Sequence, residues 1–105
     1  RRARAEILRR QREVEIALEE LPGIARAAAF AVPHPDYGEA VVAAIEPVAG
    51  AAVQPAEVLA SLRSRLVGYK LPKALFVEQA LPLTELGKVQ RAVLAKAHAH
   101  HFDRI

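Results

Sequence analysis

A chain of 105 residues with 52% apolar content suits one small domain with a modest core, much of it alanine. It has no cysteine, which excludes a disulfide framework, a cysteine-based metal site and a thiol nucleophile and fits a reducing, cytoplasmic location. No apolar run approaches the roughly 20 residues of a membrane span, no apolar stretch follows the charged start as a secretory signal requires, and the net charge of +3 is uneven.

Residues 1–12 hold Arg1, Arg2, Arg4, Arg9, Arg10 and Arg12 against Glu6, a charge of +5, while the remaining nine basic and eleven acidic residues carry −2. Such a segment can bind nucleic acid or an anionic surface, but a solvated stretch of a larger chain is the favoured reading. Glu13 to Leu21 reads as a helix, with Val14, Ala17, Leu18 and Leu21 forming one apolar stripe. Pro22-Gly23 stops it. A largely buried strand is expected from about Arg26 to Val32, then a loop over Pro33-His-Pro-Asp-Tyr-Gly38. Glu39 to Val48 reads as a second strand, with Pro47 at an edge or strand end. After Ala49 to Gln54, a helix begins near Pro55, carries Val58, Leu59, Leu62 and Leu66 on one stripe, and stops at Gly68. Tyr69-Lys-Leu-Pro-Lys73 is a loop, Ala74 to Glu78 a third short strand, and Arg91 to about Ala99 a last helix. The order α-β-β-α-β-α implies an α+β fold: a small sheet of about three strands with flanking helices.

Few residues are equipped for chemistry. Gly87-Lys88 is not a Walker A loop, which needs a glycine at position 82 and Ser or Thr at position 89, where this chain has Pro82 and Val89. Taken alone, it reads as a helix start with a solvated lysine. The frame around it is more telling: Leu81-Pro82 after a strand, Thr84, Gly87-Lys88, then Gln90-Arg91. His34 reads as an ordinary solvated loop residue. His98 and His101 share a helix face at i, i+3, but no carboxylate or cysteine completes a metal set, and Asp103 falls in an expected frayed tail, so no metal site is assigned. The two serines, Ser61 and Ser64, lie within the amphipathic helix, so no Ser-His-Asp arrangement is legible. Lys70 and Lys73 are candidate anion contacts, although a solvated loop explains them equally well.

Read together, Glu13-Val-Glu15 with Leu18, Leu21-Pro-Gly-Ile24, Val32-Pro33, Asp36-Tyr-Gly-Glu39, Tyr69-Lys-Leu-Pro-Lys73 and Leu81-Pro82 with Thr84 and Gly87-Lys-Val-Gln-Arg91 resemble the C-terminal domain of the adenylate-forming superfamily. That superfamily comprises acyl- and aryl-CoA synthetases, peptide-synthetase adenylation domains and luciferases. The matches are collinear from Glu13 to Arg91, and the acyl-CoA synthetase branch is the most similar. The resemblance implies a carboxylate attacking the α-phosphate of ATP, then capture of the acyl-adenylate by a thiol, commonly that of coenzyme A. It implies that Lys88 is the catalytic adenylation lysine, with Gly87 permitting its turn, Thr84 and Arg91 supporting loop and helix start, and Lys70 and Lys73 as possible CoA contacts. The implied partner is a large N-terminal adenylation domain of the same chain, which would bind most of the ATP, Mg2+ and CoA, so this segment alone is expected to be inactive.

Two alternatives stand beside this: an adenylation domain serving a carrier-protein thiol, and a non-enzymatic module binding nucleic acid or an acidic partner through its Arg-rich arm. Nucleic acid is disfavoured because the fold itself lacks organised basic residues and aromatic platforms. The resemblance divides the chain into an Arg-rich segment, 1–12, following a hinge, and a domain, 13–105. The family also carries a glycine-containing loop before the segment matching Glu13-Val-Glu15. Here Ile7-Leu-Arg-Arg-Gln-Arg12 has no glycine, and Ile7 to Arg10 is similar to the strand leading into that loop. Several residues are therefore expected to be absent between Arg10 and Gln11, as is the hinge residue expected before Arg1 or Arg2. The loop belongs to the thioester-forming face, which puts the second half-reaction in question.

Overall fold

The computed structural model describes residues 2–103, so Arg1 of the basic segment, together with the hinge position expected before Arg1 or Arg2, lies outside the described residues. Helix α1 (Arg2–Glu19) leads into β1 (Ile24–His34) and β2 (Gly38–Pro47). Helix α2 (Pro55–Leu62), a 3-10 turn (Gly68–Lys70), β3 (Leu75–Val77) and α3 (Arg91–Ala97) follow. The strands form one sheet in the order β1-β2-β3. β1 and β2 are an antiparallel hairpin, and β3 lies parallel to β2 through Ala43↔Leu75, Ala44↔Phe76 and Ile45↔Val77. The α+β class with about three strands and flanking helices is what the sequence implies.

Both sheet faces are covered, which explains why β1 and β2 read as apolar runs rather than alternating patterns. Ala27, Ala29, Val41, Ala43 and Ile45 pack against Val14, Leu18 and Leu21 beside α1 and Val58 and Leu62 of α2. On the opposite face Ala28, Phe30, Val32, Val42 and Ala44 pack against Leu81 and Leu94. The alanines reduce the sheet's thickness and let both outer layers approach it closely. The bulk of each core comes from a few large residues, notably Phe30, Leu18, Ile45, Leu62 and Leu94.

Of the boundaries that differ from the sequence reading, three have a clear local cause. Ile7 to Arg10, expected as a strand, belongs to α1. No glycine or proline interrupts residues 2–19, and Ile7, Gln11, Val14 and Leu18 continue one stripe at i, i+4, i+7 and i+11. Ile7 packs at the margin of the first core and Gln11 is buried. β1 runs on through Pro33 and His34, pairing with Glu39 and Gly38. Proline is tolerated there because β1 is an edge strand. α2 ends at Leu62, not Gly68. The Ser64 hydroxyl donates back to the Ser61 carbonyl at 2.8 Å and competes with the helical ladder, and Gly68 instead opens the 3-10 turn. Asp103, placed by sequence in a frayed tail, forms a turn in which its carboxylate meets His100 Nδ1 at 2.6 Å.

Ala43 is fully buried under α1 and α2. Ala43→Leu is expected to destabilise the domain by about 1–3 kcal/mol through overpacking, whereas Ala60→Leu on the exposed side of α2 stays within about 0.5 kcal/mol. Urea-denaturation midpoints check this pair.

Candidate functional site

Residues 81–91 build a small, heavily braced hairpin. Leu83 and Val89 pair as an isolated antiparallel bridge. The Thr84 N–H donates to the Lys88 carbonyl at 2.8 Å, and the Gly87 N–H to the Thr84 carbonyl at 2.9 Å. This closes a three-residue loop, Glu85-Leu86-Gly87, whose last residue is left-handed, with Gly87 φ at 86°. A Cβ on Gly87 would meet nothing within 4 Å, so glycine is required by backbone conformation and not by crowding. The Thr84 hydroxyl accepts the Lys88 N–H at 3.1 Å. The Gln90 side chain donates to the Leu83 carbonyl at 2.9 Å and ties the two arms together. Leu81 is buried in the second core and Val89 packs at its margin. Lys88 itself is exposed, and among the described residues no carboxylate pairs with its ammonium.

Two carboxylates bracket this hairpin from outside. At its start, Glu46 at the end of β2 accepts the Leu81 N–H at 3.0 Å while its other oxygen meets Arg26 at 2.8 Å. At its end, Arg91 opens α3 with a bidentate pair to Glu15 of α1, at 2.8 and 2.6 Å. Glu15 also accepts the Ala29 N–H of edge strand β1 at 2.7 Å. The Glu15 hydrogen bonds raise Arg91 above the usual arginine value, against the smaller opposing effect of burial. The carboxylate also brings negative charge to a helix N-terminus that would otherwise carry a bare cation.

Thr84, Gly87, Lys88 and Arg91 are thus brought into one unit, and Lys70 and Lys73 are not. Those two line a separate open groove of about 490 Å3 beside α1, with Ile7, Tyr37, Glu39 and Leu71 among its other walls. Lys70 pairs with Glu13 at 2.9 Å, and Lys73 lies over the Tyr37 ring, 5.3 Å from its centre. The Arg-rich segment forms the first turns of α1, where Arg4 meets Glu39 at 3.3 Å and Arg9 meets Glu6 at 2.6 Å.

The histidines are drawn into packing. His34, expected to be solvated, is half-buried; its Nδ1 accepts the Asp36 and Tyr37 N–H groups at 3.0 and 3.3 Å, and its ring stacks on Tyr37 at 4.3 Å. The tight turn after Pro35 folds these groups back onto the ring. His98 stacks on Phe76 at 3.8 Å and meets Glu78 at 2.8 Å, while His101 lies edge-on to Phe76 at 5.0 Å. Among the described residues no group of three or more His, Cys, Asp or Glu side chains could hold a metal ion. Among the described residues no helix is long and apolar enough to cross a membrane.

Sequence reasoning passed over Glu15 and Glu46 as site residues. A signal was present. Glu15 sits at i+4 from Gln11 and i−3 from Leu18, beside the apolar stripe, and Glu46 interrupts an apolar strand after Ile45. A carboxylate at such a position needs a partner.

Comparison with known proteins gives one consistent result. The family described as the AMP-binding enzyme C-terminal domain matches residues 13–88, more than half of the chain. A feruloyl-CoA synthase from Amycolatopsis sp is 42% identical over 77 residues, covering 73% of this chain and 16% of that protein. A probable CoA ligase of Humulus lupulus is 38% identical over 84 residues, covering 80% of this chain and 16% of that protein. Among solved structures, apo MatB from Rhodopseudomonas palustris superposes with a TM-score of 0.82 at 33% identity, over 89% of this chain and 19% of that one. The chain therefore spans less than a fifth of the length of the relatives it matches.

Glu15→Ala is expected to speed hydrogen exchange at the Ala29 amide, which loses its acceptor. In a double-mutant cycle with Arg91→Ala the coupling should be about 0.5–1 kcal/mol, held down by the half-exposed guanidinium.

Proposed function

The chain belongs to the AMP-binding enzyme C-terminal domain family, and from that premise we propose that it is the mobile C-terminal domain of an ATP-dependent acyl-CoA synthetase, which lends Lys88 to the adenylation step. In that step a substrate carboxylate oxygen forms a bond to the α-phosphorus of ATP, and the bond to pyrophosphate breaks. Negative charge builds on the α-phosphate oxygens as the new bond forms. The Lys88 ammonium, presented from outside the large domain, stabilises that charge and draws together two anions that otherwise repel. In the second step a thiol sulfur bonds to the acyl carbonyl carbon, the carbon–oxygen bond to AMP breaks, AMP leaves with that oxygen and the thiol proton passes to solvent. Withdrawal of the hairpin by domain rotation would clear the site for that step.

The observation that carries this reading is a lysine that has no carboxylate partner among the described residues, on a hairpin whose backbone is otherwise fully braced. The backbone is held by Glu46 at one end and Glu15 at the other, so only the lysine's own stem must be ordered when it engages. A lysine meant for solvent alone needs no such support. The relatives' names, CoA ligases and CoA synthases, support a coenzyme A acceptor over a carrier-protein thiol. ATP, magnesium and most of the coenzyme A are assigned to the large domain. Lys70 and Lys73, on the groove beside α1, are assigned as contacts for the anionic part of the acceptor. This segment alone is expected to lack activity.

In the full-length enzyme, Lys88→Ala should lower adenylate formation by about 10²–10³-fold while equilibrium binding of the acid and ATP is retained. Pyrophosphate release measures the first and calorimetry the second. A wild-type rate of pyrophosphate release in this variant would sink the assignment.

A further inference from the structure

We propose that Leu86 is an apolar anchor that seats the hairpin against the large domain whenever Lys88 is engaged, and so governs how often the lysine is in place. The inference rests on the role given to Lys88 above.

Leu86 is 89% exposed, the most exposed large apolar side chain among the described residues. It belongs to neither core and contributes nothing to the packing of this domain. The turn does not call for it either. The loop's conformational requirement falls on Gly87, and the central positions of such turns favour small polar residues. A single exposed leucine is ordinarily unremarkable. Its position here is the difference.

Leu86 lies in the three-residue loop and Lys88 closes it two residues later, so their Cα atoms lie within about 7 Å of each other. The hydrogen bonds from Thr84 and Gly87 keep the loop from opening. Lys88 cannot therefore enter a site on another domain without carrying Leu86 into the same interface. The occupant of that interface is the large domain of the same polypeptide, since the relatives are several times longer than this chain. The feature of that domain that would receive Leu86 is an apolar depression beside the phosphate-binding site. Burying Leu86 would favour the engaged state at little ordering cost, because the backbone is already held. It would also exclude water next to the ammonium and strengthen its attraction for the phosphate.

The test uses the full-length enzyme with Leu86→Ser and Leu86→Met. Adenylation is followed by pyrophosphate release, thioester formation from preformed acyl-adenylate and CoA, and folding by the thermal midpoint. Leu86→Ser should lower the adenylation kcat about tenfold with little change in the KM for ATP, and Leu86→Met should recover most of the loss. Thioester formation and the thermal midpoint should match wild type. A wild-type adenylation rate in Leu86→Ser, with Lys88→Ala inactive, overturns this inference alone. Equal losses in both half-reactions, or a lowered thermal midpoint, mark a general structural role and overturn it too. Wild-type adenylation in Lys88→Ala overturns the inference together with the reading on which it rests.

Discussion

The carboxylate of Glu15 ties together two layers of the domain that otherwise meet only through the sheet they share. α1 and α2 cover one face of the sheet, while the hairpin and α3 cover the other. The sheet separates these layers, so no side chain of one can pack directly on the other except around an edge. β1 is that edge, and an edge strand presents N–H groups with no strand to receive them. Glu15 reaches it from α1, accepts the Ala29 N–H, and takes Arg91 of α3 with its remaining capacity. One largely buried carboxylate thereby satisfies an N–H on the strand edge and the guanidinium of the residue that opens a helix. Its three charge-assisted hydrogen bonds offset the cost of removing it from water.

The same economy of contacts appears at the other end of the hairpin. Glu46 lies in the central strand, and its carboxylate is divided between the Leu81 N–H and Arg26. Between these two anchors the chain from Leu81 to Arg91 has little freedom, although it contains only one isolated bridge. Rigidity in the backbone and mobility in a side chain are thus kept apart. The hairpin is fixed by hydrogen bonds at every turn, whereas Lys88 keeps the rotamer freedom of an exposed stem. For a charge that acts on something outside its own domain, this division keeps the ordering cost to the stem.

Much of the architecture was legible because it is written locally. Pro22-Gly23, the turn over residues 35–37 that Gly38 follows, and Gly87 mark reversals through residues whose backbone preferences are steep. The apolar runs from Arg26 and from Glu39 read as strands because each is short and bounded by turn formers, and the structure buries them on both faces. Where the reading failed, two local signals competed. Ile7 to Arg10 is similar to a family strand but carries the stripe of a helix, and the uninterrupted helix-forming run from Arg2 to Glu19 prevailed. After Leu62 the hydrophobic stripe continued while Ser64 drew its hydroxyl back onto the Ser61 carbonyl, so periodicity alone placed the helix end too late.

The sequence by itself determined the order of the elements and the reversal at Pro22-Gly23, because each depends on residues within a turn of one another, whereas the loop that presents Lys88 was implied by the family resemblance and given its form by the structure. Tertiary structure alone decided what surrounds them. Glu15 finds Arg91 across 76 positions, Lys70 finds Glu13 across 57, and Glu46 finds the Leu81 N–H across 35. No local preference encodes such pairings. They arise only after two apolar layers have closed on an alanine-rich sheet thin enough for a glutamate side chain to reach its edge.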